Sequence, residues 1–299
     1  TINSVYGMEI VDERLVNQKW MNSELVADRV VGEALQVGDV AYVTSADNSL
    51  LALQADTGEV IWEFNAGFSI WAQPVLHEGT LFVTSLDRKL YALDAESGSE
   101  QWSVELSGAI AAQPVLNLDA GLLYVASFDQ SLHALQIADG VEIWAAEAAD
   151  WIWSAPAFDT KNNHLYYGDA AGNVFAVDAE TGVEVWTTAV HTMNVVEGVI
   201  QDPPLEIKGA IQASPLLHED TLFIASEGNP GSEEGLLVAL DRESGAELWQ
   251  TTVQAPLFTT PVIAGDAVVV GVNSETAVLI AYDMDEGNQL WAYAPPAGE

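Results

Sequence analysis

A β-propeller of four-stranded antiparallel blades is the fold this sequence predicts: all-β, with six complete blades and a partial N-terminal blade, closing with six or seven. Three observations carry that expectation. A segment that opens on Ala and closes on Trp recurs six times, a Pro recurs ahead of most copies, and the stretches between them alternate apolar and polar residues. Repeats of about 40 to 45 residues built from short strands are the length of one propeller blade.

The repeated segments are Ala52–Trp62, Ala92–Trp102, Ala134–Trp144, Ala176–Trp186, Ala239–Trp249 and Ala281–Trp291, and each has Gly four positions before the Trp. The second landmark is Pro74, Pro114, Pro156, Pro215 and Pro261. Six units follow, at about 30–64, 72–106, 113–147, 154–189, 211–253 and 259–294. Trp20 precedes Trp62 by 42 residues, so residues 1–21 read as a partial N-terminal blade ahead of a single propeller domain over 22–299, with Val16 at the Gly position.

In the second repeat, Gln73 to Leu76 reads as the inner strand, Leu81 to Ser85 as the second, Lys89 to Asp94 as the third and Ser99 to Glu105 as the outer. Gly98 falls in the third-to-outer turn, where a left-handed backbone suits Gly and nearby Asp, Glu, Ser and Thr cap amides. The repeated tryptophans (Trp20, Trp62, Trp102, Trp144, Trp186, Trp249 and Trp291) fall in outer strands. An indole there can pack between neighbouring blades, a structural reason for its recurrence.

Composition narrows the function. Of 299 residues, 45 are Asp or Glu and 8 are Lys or Arg, a formal net charge of −37. Nucleic acid and anionic membrane surfaces are poor partners for such a chain, while cations are natural partners of its acidic surface. Cysteine is absent, which removes thiol nucleophiles, thiolate metal sites and disulfides. No apolar run is long enough to predict a transmembrane helix, and Thr1 to Met8 does not read as a signal peptide.

On its Ala, Gly and Trp landmarks, from about residue 22 to 294, the sequence resembles the pyrroloquinoline-quinone-type propeller repeat, with its docking motif Ala-x-Asp-x-x-Thr-Gly-x-x-x-Trp. That resemblance covers quinoprotein dehydrogenases and a non-catalytic branch of BamB-like outer-membrane assembly lipoproteins and sensor domains. The dehydrogenase branch implies pyrroloquinoline quinone and calcium, often an adjacent-cysteine disulfide, and a chain about twice this length. Its members and the assembly proteins have eight blades, so this chain either closes with fewer or is part of something longer. The BamB-like branch implies a non-enzymatic scaffold without a cofactor. Such a scaffold works outside the cytoplasm, in the periplasm or at the cell surface, through protein partners in an envelope assembly, with a lipid anchor on a segment outside this chain. A ligand-sensing or glycan-binding ectodomain is a further alternative.

The histidines make no metal spacing: His77, His164 and His218 read as solvated inner-to-second turn residues. Asp47, Asp87 and Asp129 sit in second-to-third turns, as Asx-turn formers or, alternatively, a calcium-attracting ring. No nucleophile elbow or phosphate loop is present. The fifth repeat is longer, Trp186 to Trp249, because of an insertion at about 190–210 carrying His191, Met193 and Pro203-Pro204, and an acidic tip at 227–235. Both belong to connections expected on one face of the blade. That face also collects Phe68, Trp71, Trp151, Trp153 and Phe258, which either ring the mouth of the central funnel as a binding surface or pack beneath the long loop.

Overall fold

The computed structural model describes residues 5–12, 15–22, 25–188, 195–196, 199–200, 207–228, 231–274 and 277–294. Among them every regular element is a strand. Six antiparallel sheets have four strands and two have only a pair, in the order expected of a propeller. The N-terminal pair is β1 (Val5–Asp12) and β2 (Leu15–Asn22). The first blade is β3 (Leu35–Val37), β4 (Val40–Thr44), β5 (Ser49–Gln54) and β6 (Val60–Asn65). The second is β7 (Val75–His77), β8 (Thr80–Thr84), β9 (Lys89–Asp94) and β10 (Glu100–Glu105).

Four further blades run from Val115 to Glu147, Ala157 to Thr187, Leu216 to Val253 and Val262 to Tyr293. Contacts divide the chain into two compact units: Thr1–Asp129 with Leu135–Ile143, and Gln130–Ala134 with Trp144–Glu299. In the first, Tyr42, Leu50, Leu81 and Leu93 belong to one buried cluster, and Phe82, Leu90, Leu123 and Leu135 to another. In the second, clusters form around Tyr166, Ile211 and Ile224, and around Phe223, Leu237, Trp249 and Val268.

The sequence expectations are refined in three places. Strand β7 begins at Val75, because Pro74 has no N–H to give a ladder; β8 covers Thr80–Thr84, and β9 has the expected bounds. Strict alternation holds only in outer strands such as β10. Leu81 to Thr84 and Leu90 to Leu93 are buried in unbroken runs, because their sheet is covered on both faces. His77 and His218 end inner strands, paired with Thr80 and Thr221 across the turn, and His164 begins a second strand. They are partly buried strand termini rather than solvated turn residues.

The N-terminal pair also has an unexpected register. Ala92 pairs with Trp102 in the second blade, ten residues on, whereas Gly7 pairs with Trp20. The hairpin thus runs further before it turns, and Gly7 takes the repeated Ala's place. A Cβ on Gly7 would lie 2.1 Å from the Trp20 ring. In the insertion, the described residues form a two-stranded hairpin, Val195–Val196 with Val199–Ile200, and no helix.

Candidate functional site

Each blade is entered through an outer-to-inner connector, and these connectors carry the aromatic side chains that sequence reading picked out. One aliphatic residue anchors each: Ile70, Ile110, Ile152, Ile211 and Leu257 are all fully buried. The Ile70 and Ile110 amides donate to the carbonyls of Ser45 and Ser85, and the Ile211 amide to that of Asp169. Neighbours of such an anchor are turned away from the core. Phe68 is 55% exposed, Trp151 47% and Phe258 51%, while Trp71 and Trp153 are half-buried.

Trp151 and Trp153 form a pair, ring centroids 6.2 Å apart and inclined by 57°. The Trp151 amide donates to the Asp150 carboxylate at 2.8 Å, and its carbonyl accepts from the Ala170 amide. Phe68 and Trp71 lie in the first compact unit, and Trp151, Trp153 and Phe258 in the second. His191 and Met193 lie outside the described residues.

A carboxylate fastens most connectors from the blade that follows. Asp87 accepts from the Gly67 amide at 2.6 Å, the Lys89 amide at 3.0 Å and the Tyr91 hydroxyl at 2.6 Å. Asp47 takes the Ala27 amide, Asp129 the Ser107 amide and Asp169 the Ala149 amide. For Asp47, desolvation is outweighed by hydrogen bonds from Ser49, Ala27 and Ser45, and its carboxyl sits below the usual range. These aspartates are Asx turns that also hold the connector.

At the fifth blade the fastener is Glu227, which accepts from the Ala210 amide and the Gln212 side chain. Gly209, at φ 81°, is required here: a Cβ would meet the Gly228 carbonyl oxygen. Next to this crossing lies a groove of about 460 Å³ lined by Lys208, Ser232, Glu234, Gln250 and Thr252. The extra length of this repeat signals the groove in the sequence, although its lining residues do not.

The repeated tryptophans hold successive blades together. The Trp20 and Trp62 indole N–H groups donate to the carbonyls of Ala55 and Ala95, at 2.8 and 3.1 Å, and Trp186 and Trp249 donate to those of Arg242 and Met284. Each ring covers the turn glycine of the next blade: Trp20 on Gly58, Trp62 on Gly98, Trp102 on Gly140, Trp144 on Gly182, Trp186 on Gly245 and Trp249 on Gly287. Trp291, in the sixth blade, is 44% exposed. Between the fourth and fifth blades sequence reading missed a buried ion pair, Arg242 with Asp159 at 3.3 Å, which the exposed Asp220 extends to the surface at 2.6 Å from Arg242. Its signal was an arginine where Ala95 and Ala179 stand elsewhere.

The sequence profile of the family described as outer membrane protein assembly factor BamB matches residues 46–203 and 170–298. Outer membrane protein assembly factor BamB of Shewanella oneidensis is 43% identical over 63 residues, 21% of this chain and 15% of that protein. The match therefore spans far less than two thirds of that relative. The crystal structure of BamB from Moraxella catarrhalis superposes with a TM-score of 0.69 at 20% identity, over 93% of this chain and 77% of that one. The computationally designed protein Ika8 gives 0.68 at 15% identity, over 90% and 75%. At such identities the likeness establishes the fold, while the family follows from the profile. With the profile matched over most of its length, the chain belongs to the family of outer membrane protein assembly factor BamB.

Proposed function

We propose that this chain is a non-enzymatic scaffold that acts outside the cytoplasm and binds protein partners through its outer-to-inner connectors. The observation that carries this reading is that each compact unit holds exposed aromatics beside fully buried anchors, Phe68 in the first and Trp151 and Phe258 in the second. Large rigid side chains on ordered loops are the groups that anchor protein interfaces. Their placement needs no cofactor. The family description supports an envelope assembly as the partner, with any lipid anchor on a segment outside these residues.

Site-specific photo-cross-linking in the native host tests the surface. A cross-linker at Phe68, Trp151 or Phe258 should trap a discrete envelope protein, and one at His77 or His218 should not. Trapping of the same protein from both sets of positions would reject the connector surface. Cell fractionation tests the compartment, and a cytoplasmic pool alone would reject the extracytoplasmic reading. Dye-linked oxidation of alcohols or sugars after addition of pyrroloquinoline quinone and calcium would overturn the non-enzymatic reading.

A further inference from the structure

Two successive blade junctions differ at one repeat position. Arg242 follows the third strand of the fifth blade, Gly235–Asp241, and Met284 follows that of the sixth, Leu279–Asp283; each lies three residues before its turn glycine. The acceptors correspond as well. Asp220 and Asp266 each lie two residues beyond an inner strand, Leu216–His218 and Val262–Ala264. Asp159 and His218 each end the inner strand of the blade before. At the earlier junction Asp159 and Asp220 hold a guanidinium that the chain itself supplies. At the later one the uncharged Met284 takes the arginine's place.

A cavity of about 600 Å³ lies at this later junction. Phe223, fully buried, and Met284, partly buried, give it an apolar side, and His218 lines it where the earlier junction has Asp159. Glu219, Asp266 and Asp285 line it from exposed positions. No lysine or arginine is among the lining residues. The earlier junction therefore serves as an internal comparison: the repeat position that Asp266 occupies ligates a cation there, at 2.6 Å.

We propose that this cavity binds a small alkylguanidinium, a planar cation on an aliphatic stem. Asp266 and His218 take its N–H groups as Asp220 and Asp159 take those of Arg242. A carboxylate accepts from a guanidinium in a charge-assisted hydrogen bond, and a neutral imidazole nitrogen accepts one N–H. Glu219 and Asp285 add negative field at the mouth. Phe223 and Met284 receive the stem, which gains from apolar contact while the head keeps its polar partners. The volume is that of a small-molecule site. In an antiparallel blade these turns lie at the opposite end from the outer-to-inner connectors, so the site stands apart from the proposed partner surface.

The test titrates the full chain with butylguanidinium at low ionic strength, followed by calorimetry and by NMR of the methionine methyls and histidine rings. We expect saturable one-to-one binding that shifts the Met284 and His218 signals. Butylammonium, a point charge without the planar fork, should bind about tenfold more weakly. Asp266→Asn should weaken butylguanidinium binding about tenfold at unchanged Tm. Met284→Arg should abolish it, because the chain then supplies its own guanidinium as it does at Arg242. Binding that does not saturate, or equal binding of butylammonium or calcium, overturns the proposal in favour of diffuse attraction to an acidic surface. Unchanged affinity in Asp266→Asn, or in a Met284→Arg variant that keeps the parent's Tm, overturns it too. None of these outcomes bears on the connector aromatics, which are read separately by cross-linking at Phe68, Trp151 and Phe258.

Discussion

The junction between the first and second blades and that between the fourth and fifth are built on one plan with different chemistry. At the first, Trp62 covers Gly98, and both its indole and the Tyr42 hydroxyl donate to the Ala95 carbonyl. The two donors and their shared acceptor are neutral. At the other, Trp186 covers Gly245 and donates to the Arg242 carbonyl, but the Arg242 side chain turns inward onto Asp159, with 5% and 3% of the two side chains exposed. Tyr166 lies beside that pair, and burial, then the Asp159 charge, push its phenol up to about 12. The third blade has a neutral counterpart, where the Asn117 amide donates to the Tyr124 hydroxyl. The tryptophan contact is thus common to both junctions, and the buried charge is an addition whose loss should be felt far more than its presence.

That contrast breaks most visibly at Arg242. Removing it leaves Asp159 buried without a counter-charge, so Arg242→Ala should lower stability by about 3 to 5 kcal/mol, read from urea unfolding. The Arg242→Ala, Asp159→Ala double variant should recover part of that loss. A double variant as unstable as the sum of its singles would mean that the two side chains act independently.

Next comes the contact both junctions share. Trp62→Ala and Trp186→Ala should each cost about 2 to 4 kcal/mol, less than a fully buried Trp because both rings are partly exposed. Gly98→Val should be of similar size, since its Cβ would meet the Trp62 ring at 2.6 Å and φ is 72°. If Trp186 proves far less sensitive than Trp62, the ion group carries that junction alone.

A third expectation concerns acid. Hydrogen bonds from the Ser97 hydroxyl and amide hold the Asp94 carboxyl below its usual value, and Ser244 does the same for Asp241. Because these values are lowered in the folded state, the turns contribute fully above the ordinary carboxylate range, and the contribution fades as pH falls through it. NMR titration of Asp94 should move up toward the ordinary value in Ser97→Ala, and the stability difference between that variant and the parent should shrink as the carboxylate protonates. The smallest effect is expected at Lys161→Ala, within about 0.5 kcal/mol, because the Lys161–Asp220 contact is exposed on both sides.

The landmarks legible in the sequence were those fixed by spacing within one repeat. Ala92, Gly98 and Trp102 lie in a single hairpin, so their periodicity reports the blade directly. Arg242 was not legible in that way, because its partner Asp159 is 83 residues away and only packing of adjacent blades joins them. The N-terminal pair misled for a related reason: the ten-residue Ala-to-Trp spacing does not apply where Gly7 pairs with Trp20. For the connectors, loop position and residue type pointed to Phe68, Trp151 and Phe258. Of the carboxylates that fasten those loops, Asp87 showed as a turn former or as part of a calcium-attracting ring and Asp169 did not show, since the amides they accept from are about twenty residues upstream.

The run of indoles also gives the polypeptide a sense of direction. Each tryptophan sits in its own blade and closes on the turn of the blade that follows, from Trp20 on Gly58 to Trp249 on Gly287. Such a chain is coupled one neighbour at a time, like a row of latches that all face the same way. Pulled from its C-terminal end, it should yield in steps, each lost blade freeing the latch of the one before it. Every step would move one more indole from protein to water and redden the fluorescence by a countable increment.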